Sequence, residues 1–197
     1  MASPFECEVR FMIPSIDQFK KKLKELEAKK LYDYEFTDYY YINDLNNPWD
    51  LNKKNLRLRE WKKPESKCEI LFTELEMIDI DGLKFKRSVF EEGKLSLYQG
   101  TFEKCKKLLG SLSFIHWFTI EKKNGTVYKI IKNNFNTCHE FIPKLGWSGE
   151  LEIRGEDLNK ASRNLKEEMK ILGLTINDVT SDSLSVIYTN KNGLISD

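Results

Sequence analysis

No apolar run in this sequence approaches the roughly 20 residues that a bilayer-spanning helix needs, the nearest candidate being the short stretch from Phe114 to Ile120. A membrane is therefore not an expected partner. Histidine is scarce, with two in the chain, and His139-Glu140 lacks a second histidine four residues on, so zinc hydrolases of the HExxH kind are excluded. The four cysteines (Cys7, Cys68, Cys105, Cys138) lie far apart without CxxC spacing, which argues against a disulfide framework or a zinc cluster. With no signal-peptide pattern at its start, the sequence points to a reducing, cytoplasmic location. An excess of one charge is also missing: 32 basic against 31 acidic residues leave a formal +1, no field to steer the chain to DNA. Low-complexity segments and internal repeats are absent. Chemistry here has to run on carboxylates and cations gathered locally, and any polyanion site must be local too.

What is present is a chain of 197 residues, enough for one substantial core, and no composition shift marks a second domain; a single domain over 1–197 is expected. Glu and Arg alternate with apolar residues from Phe5 to Met12, the period of a strand with one polar and one apolar face. Ser15, with Gln18 three positions later, opens a helix carrying Ile16, Phe19, Leu23 and Leu26 on one face. The lysines from Lys20 to Lys30 read as its solvated side. Strands are expected near Phe36 to Ile42, Asn55 to Trp61, Cys68 to Glu76 and Leu83 to Glu91, and a helix near Thr101 to Leu112. Asn124-Gly125 between two strand-like runs predicts a type I′ hairpin. Strands near Thr137 to Ile142 and Gly149 to Arg154 follow, then a helix from Asp157 to Leu172 ended by Gly173. Strands outnumber helices and are joined by short loops, which points to an α+β chain built on an antiparallel sheet or barrel with helices outside. Trp61, Trp117 and Trp147 read as packing residues rather than a base-stacking platform, and His116 and His139 as structural.

The most informative feature is an echo between distant segments. Glu6-Cys7-Glu8-Val9-Arg10 and Glu150-Leu151-Glu152-Ile153-Arg154 are both Glu, apolar, Glu, apolar, Arg. Residues i and i+2 of a strand share a face roughly 6.5 to 7 Å apart, so each segment presents two carboxylates and a guanidinium together. If the sheet closes and brings these strands side by side, four carboxylates converge, and a hard divalent cation, Mg2+ or Mn2+, relieves their repulsion most directly. Such an ion has coordination positions left for phosphate oxygens, and a triphosphate would need cations on other walls. Arg57 and Arg59 share one strand face, while Lys84, Lys86, Arg87 and Lys123 lie on other expected strands.

In these residues the sequence resembles the CYTH family, the triphosphate tunnel metalloenzymes that include class IV adenylyl cyclases and thiamine triphosphatases. Glu6 to Arg10 resembles the family's opening ExExK signature with Arg for Lys. Asp38-Tyr39-Tyr40-Tyr41 followed by Asn55-Leu56-Arg57-Leu58-Arg59 resembles its aspartate strand and LRxR strand. Glu140 to Gly146, leading into Glu150-Leu151-Glu152, resembles the LDxVxxLG segment and the second acidic strand, and the ending from Leu172 to Tyr188 resembles the cyclase-like tail. The pattern differs at three points: Leu75 stands where a lysine is common, Val89 where a glutamate follows the arginine, and Asn124-Gly125 after Lys123 where a clear arginine is usual. The resemblance implies a closed tunnel of eight antiparallel strands. It implies metal ligation by Glu6, Glu8, Glu140, Glu150 and Glu152, catalysis through Glu6, Glu8 and Arg10, and phosphate binding by Arg57, Arg59, Lys86, Arg87 and Lys123. A small-molecule triphosphate is the expected substrate and hydrolysis the expected reaction. Cyclisation of ATP to cyclic AMP and binding without turnover are the alternatives. Nothing in the sequence marks a self-association surface.

Overall fold

The computed structural model describes residues 5–155 and 157–194. Strand alternation organises it. In β1 (Phe5–Met12) the odd residues Cys7, Val9 and Phe11 are buried in an apolar cluster with Leu23 of α1 (Ile16–Glu25) and with Leu165 and Met169 of α3 (Leu158–Leu172). The even residues Glu6, Glu8 and Arg10 therefore face the other side of the sheet, the inside of a barrel. Helix ends are fixed by the residues the sequence offers: the Ser15 hydroxyl accepts from the Gln18 amide, Asp157 caps α3, and Gly173 closes it at φ 80°.

The remaining strands are β2 (Lys29–Ile42), β3 (Lys54–Lys63), β4 (Lys67–Ile80), β5 (Leu83–Ser88), β6 (Leu95–Gly100), β7 (Ile115–Ile130), β8 (Phe135–Ile142), β9 (Gly146–Gly155) and the two-residue β10 (Val179–Thr180). Eight of them close in the order β1-β5-β4-β3-β2-β7-β8-β9 and back to β1, every pair antiparallel. The first strand and β9 lie side by side with Glu8 opposite Glu152 and Arg10 opposite Glu150. This is the closed eight-stranded α+β barrel the resemblance implies. Helices α1, α2 (Phe102–Ser111), α3 and α4 (Leu184–Asn192) lie outside the ring. Among the described residues no helix is long and apolar enough to cross a membrane.

Four local expectations change. The second strand begins at Lys29, so Lys29 and Lys30 belong to a strand and not to the face of a helix that has already ended at Glu25. The strand after Gly82 stops at Ser88, and a separate strand, β6, pairs with β4. A fourth helix, α4, follows the 3-10 turn Ile176–Asp178. Most informative is Asn124-Gly125, which is no hairpin but a bulge inside the continuous 16-residue β7. A type I′ turn needs positive φ at both central residues, and only Asn124 has it, at 52°. The pairing slips instead, between Tyr34 and Phe36 on β2 and between Lys123 and Thr126 opposite β8. Glycine is required at 125 because a Cβ there would stand 2.5 Å from the Tyr34 ring.

His139 lies on the outer face of β8, buried against the rings of Tyr128 at 5.5 Å, Trp147 at 5.5 Å and Phe19 at 6.4 Å. Burial, reinforced by Lys20, lowers its pKa to about 4. The unfolded chain then binds more protons than the folded one between about pH 6.5 and pH 4, so stability falls as the pH drops through that window. His139→Phe should flatten the dependence of Tm on pH between 7 and 4.5. An unchanged slope in thermal melts would place the acid sensitivity elsewhere.

Candidate functional site

In an eight-membered ring each strand faces the one four places away. The first strand is thus opposite β2, and β9 opposite β3. The acidic strands therefore look across the lumen at the strands bearing Asp38, Arg57 and Arg59. Between them lies a cavity of about 560 Å3 lined by Glu6, Glu8, Arg10, Glu150, Glu152 and Arg154 on one side and by Arg57, Arg59 and Lys94 on the other. Asp38, Lys86, Lys122 and Glu92 complete its charged lining. The N-terminal turn of α4 closes one end with Ser183, Leu184 and Ser185.

Arg10 anchors the acidic side. Its Nη1 donates to Glu140 Oε1 at 2.5 Å and to the Ser148 hydroxyl at 3.0 Å, and its Nη2 donates to Glu150 and reaches Glu8 at 3.5 Å. Lys122 Nζ lies 3.0 Å from Glu140 Oε1 and 4.0 Å from Glu150. The Tyr34 hydroxyl donates to Glu140 Oε2 at 2.5 Å. Burial works against the charge on Arg10, but Glu140, Glu150 and Glu8 hold the guanidinium protonated well above its ordinary range. Burial likewise works against ionised Glu140, and Lys122 and Arg10 overcome it. Three carboxylates against two cations leave one negative charge uncompensated. It surfaces at Glu150, whose pKa is pushed up by burial and by the Glu8 charge.

On the opposite side Asp38 organises the arginines. Arg59 donates to both its oxygens, Nε at 2.7 Å and Nη2 at 2.6 Å, and Arg57 Nη1 stands 3.5 Å away. Burial would raise the Asp38 pKa, yet Arg59 and Arg57 hold it below the ordinary value. One carboxylate fixing two guanidiniums leaves a net positive surface with N–H groups directed by a fixed scaffold. Lys94, from the loop between β5 and β6, joins them at the cavity mouth, where the charge of Arg57, then desolvation and the charge of Arg59, lowers its pKa to about 8.

No protein-family model and no curated protein matches the sequence. Solved structures do match in fold. A conserved hypothetical protein from Pyrococcus furiosus superposes with a TM-score of 0.69 at 23% identity, over 91% of this chain and 97% of its own. A candidate adenylate cyclase from Vibrio parahaemolyticus gives 0.68 at 15% identity, over 95% and 99%. A candidate adenylyl cyclase from Hippeastrum, described as having a dominant triphosphatase activity, gives 0.61 at 13% identity, over 98% and 97%. They share one fold with this chain. It is the fold that the resemblance to the CYTH family implies, and at these identities the likeness carries the architecture alone.

The expected site residues divide by position. Glu6, Glu8, Arg10, Arg57, Arg59, Lys86, Glu150 and Glu152 all line the cavity. Three expected residues do not. Glu140 is fully buried beneath it, both oxygens occupied by Arg10, Lys122 and Tyr34, so it holds other side chains in place and has no oxygen directed at a ligand. Arg87 faces outward, paired with Glu76 at 2.5 Å and lying over the Phe5 ring. Lys123 is 41% exposed and paired with Glu121. The inward cation of β7 is its neighbour Lys122, because the bulge at Asn124 sets which of the two consecutive lysines points in. Lys94 was missed because it sits in a loop, where alternation gives no signal.

Among the described residues no three His, Cys, Asp or Glu groups stand close enough, as they lie, to hold a metal ion. The donor chemistry of the acidic side nevertheless fits one. Glu8 faces Glu152 directly, and like charges at such a pair repel. The Glu6 pKa is raised by burial and by Glu152. Between these carboxylates lies Arg154, 3.0 Å from Glu6 and 2.7 Å from Glu152. That side chain is 63% exposed, and the carboxylate oxygens it holds are the ligands a hard divalent cation prefers.

Arg10 is distinct from these open carboxylates. Removing one partner of a buried ion network strands the others, so Arg10→Met should cost about 3 to 5 kcal/mol of folding stability. Urea unfolding is the measurement. A loss under 1 kcal/mol would mean that Glu140 and Glu150 are not held by this guanidinium.

Proposed function

We propose that this chain binds a triphosphate in the cavity with a divalent ion on the acidic side, and hydrolyses it. The observation that carries this reading is the placement of Glu6, Glu8, Glu150 and Glu152 on paired strands directly across the lumen from Arg57 and Arg59. A lumen with a carboxylate side and a guanidinium side suits a polyanion accompanied by a cation, and suits neither alone. Glu6, Glu8, Glu150 and Glu152 would hold Mg2+ or Mn2+, which supplies, when bound, neutralisation of the phosphoryl oxygens. Arg57, Arg59, Lys86 and Lys94 grip the remaining oxygens and stabilise the charge that builds on them as the terminal phosphoryl group is transferred. Glu6 would take the proton of the attacking water. The water oxygen bonds to the terminal phosphorus as the bridging P–O bond breaks, releasing phosphate. Glu140 and Tyr34 act one step back by holding Arg10 and Lys122.

The test is phosphate release from tripolyphosphate and ATP with Mg2+ or Mn2+, with cyclic AMP and pyrophosphate assayed in parallel. Glu8→Gln and Arg57→Ala should each lower kcat/KM by about 100-fold or more. Cyclic AMP as the main product would replace hydrolysis by cyclisation, and tight metal-dependent binding without any product would make the chain a binding module.

A second outcome follows from Lys94. Its amine loses its proton near pH 8 in the unliganded protein, and only the protonated form attracts phosphate. Affinity for tripolyphosphate should therefore weaken as the pH rises from 7 to 9, with a proton taken up on binding near pH 8. Titration calorimetry in buffers of different ionisation enthalpy reads that proton. Lys94→Met should remove the uptake, and uptake persisting in the variant would assign it to another group.

A further inference from the structure

Three buried polar atoms on neighbouring strands line the cavity without a hydrogen-bond partner among the described residues: Asn55 Oδ1, Thr73 Oγ1 and Arg57 Nε. Asn55 of β3 stands directly opposite Thr73 of β4, which sets their Cβ atoms about 4.5 to 5.5 Å apart. Arg57 follows Asn55 on the same face, roughly 6.5 to 7 Å along the strand. Asn55 and Thr73 are each only 8% exposed, so bulk water does not readily satisfy them. The hydroxyls of Ser183 and Ser185, which also line the cavity, are already engaged: Ser183 donates to the Leu51 carbonyl at 3.1 Å, and the two hydroxyls lie 2.9 Å apart. Buried polar atoms left without partners are costly unless a ligand supplies them. The three also differ in kind. Arg57 Nε can only donate, the Asn55 amide oxygen can only accept, and the Thr73 hydroxyl does either.

We propose that Asn55, Thr73 and Arg57 form a subsite for the hydrogenphosphate ion, which Asn55 selects by accepting a hydrogen bond from its P–OH group. Arg57 Nε and the Thr73 hydroxyl donate to the bare oxygens of the same ion. A tetrahedral anion without a proton answers the guanidinium and the hydroxyl but turns a lone pair toward the amide oxygen. Sulfate is such an anion at neutral pH, whereas phosphate and arsenate each keep a proton. Selection therefore rests on one neutral acceptor in a basic setting. The role of this subsite as a product site rests on the triphosphate reading, in which hydrolysis releases phosphate; the choice between anions does not. Since Arg57 serves both product and substrate, phosphate retained here competes with the next triphosphate.

Calorimetry on the full chain with Mg2+, using orthophosphate, arsenate, sulfate and tripolyphosphate as separate probes, tests this whether or not turnover occurs. Orthophosphate and arsenate should bind about 10- to 100-fold more tightly than sulfate, the range set by leaving one buried acceptor unpaired. Asn55→Leu, close in shape, should bring phosphate down to the affinity of sulfate. Thr73→Val removes a donor that both anions use, and should weaken both alike; it keeps the shape and strand preference of the residue, so it should fold even if the Asn55 variant does not. Sulfate binding as tightly as phosphate in the native chain would mean that the amide presents its N–H groups instead, and overturns the selection. A phosphate preference that survives Asn55→Leu overturns it as well. Either result, with tripolyphosphate still bound, leaves the triphosphate reading standing. Selective phosphate binding without any tripolyphosphate binding would keep the subsite and overturn its role as a product site.

Discussion

A barrel that fills its lumen with charge must find its hydrophobic core somewhere else. Here the strands turn their apolar residues outward, and the helices α1 and α3 cover them. Cys7, Val9, Phe11, Phe85 and Leu151 are buried beneath that cover with Leu165 and Met169. The helices are thus required by the lumen: without them the outer face would be an exposed apolar surface. The inward residues of β1 and β9 are released from packing duty, and this inversion allows Glu6, Glu8, Glu150 and Glu152 to stand in one enclosed space.

Charges in an enclosed space still cost desolvation, and the lumen meets that cost in two ways. Below the acidic side, Arg10, Lys122, Glu140, Ser148 and Tyr34 satisfy one another almost completely. Such a network tolerates no missing member. Above it, Glu6 and Glu152 are only partly compensated, chiefly by the largely exposed Arg154. The two layers are chemically the same residue types. What separates structural from ligand-facing carboxylates is whether their oxygens are already taken.

Much of this was legible in the sequence because alternation is a local property. Glu6-Cys7-Glu8-Val9-Arg10 announces which residues share a face, and the matching segment at 150–154 announces that two strands do so alike. That β1 and β9 are neighbours is non-local and came from resemblance, then from the ring closure itself. Asn124-Gly125 misled because its turn chemistry is real, but 12 paired positions of β7 along β2 override a two-residue preference. The same bulge exchanged Lys123 for Lys122, since one inserted residue reverses the faces beyond it. Glu140 could not be told from a ligand by its type or strand, because its role is decided by Arg10, 130 residues away.

The composition of β2 gives the lumen a direction. Along one face the strand passes from Tyr32 and Tyr34 through Phe36 to Asp38 and Tyr40, so its polarity changes within a single element and needs no loop or second domain to do it. Phe36 marks the boundary, with Arg59 stacked on its ring at 3.8 Å and Lys122 Nζ at 5.4 Å. Both cations belong to the charged side, and both rest on the last ring of the aromatic side.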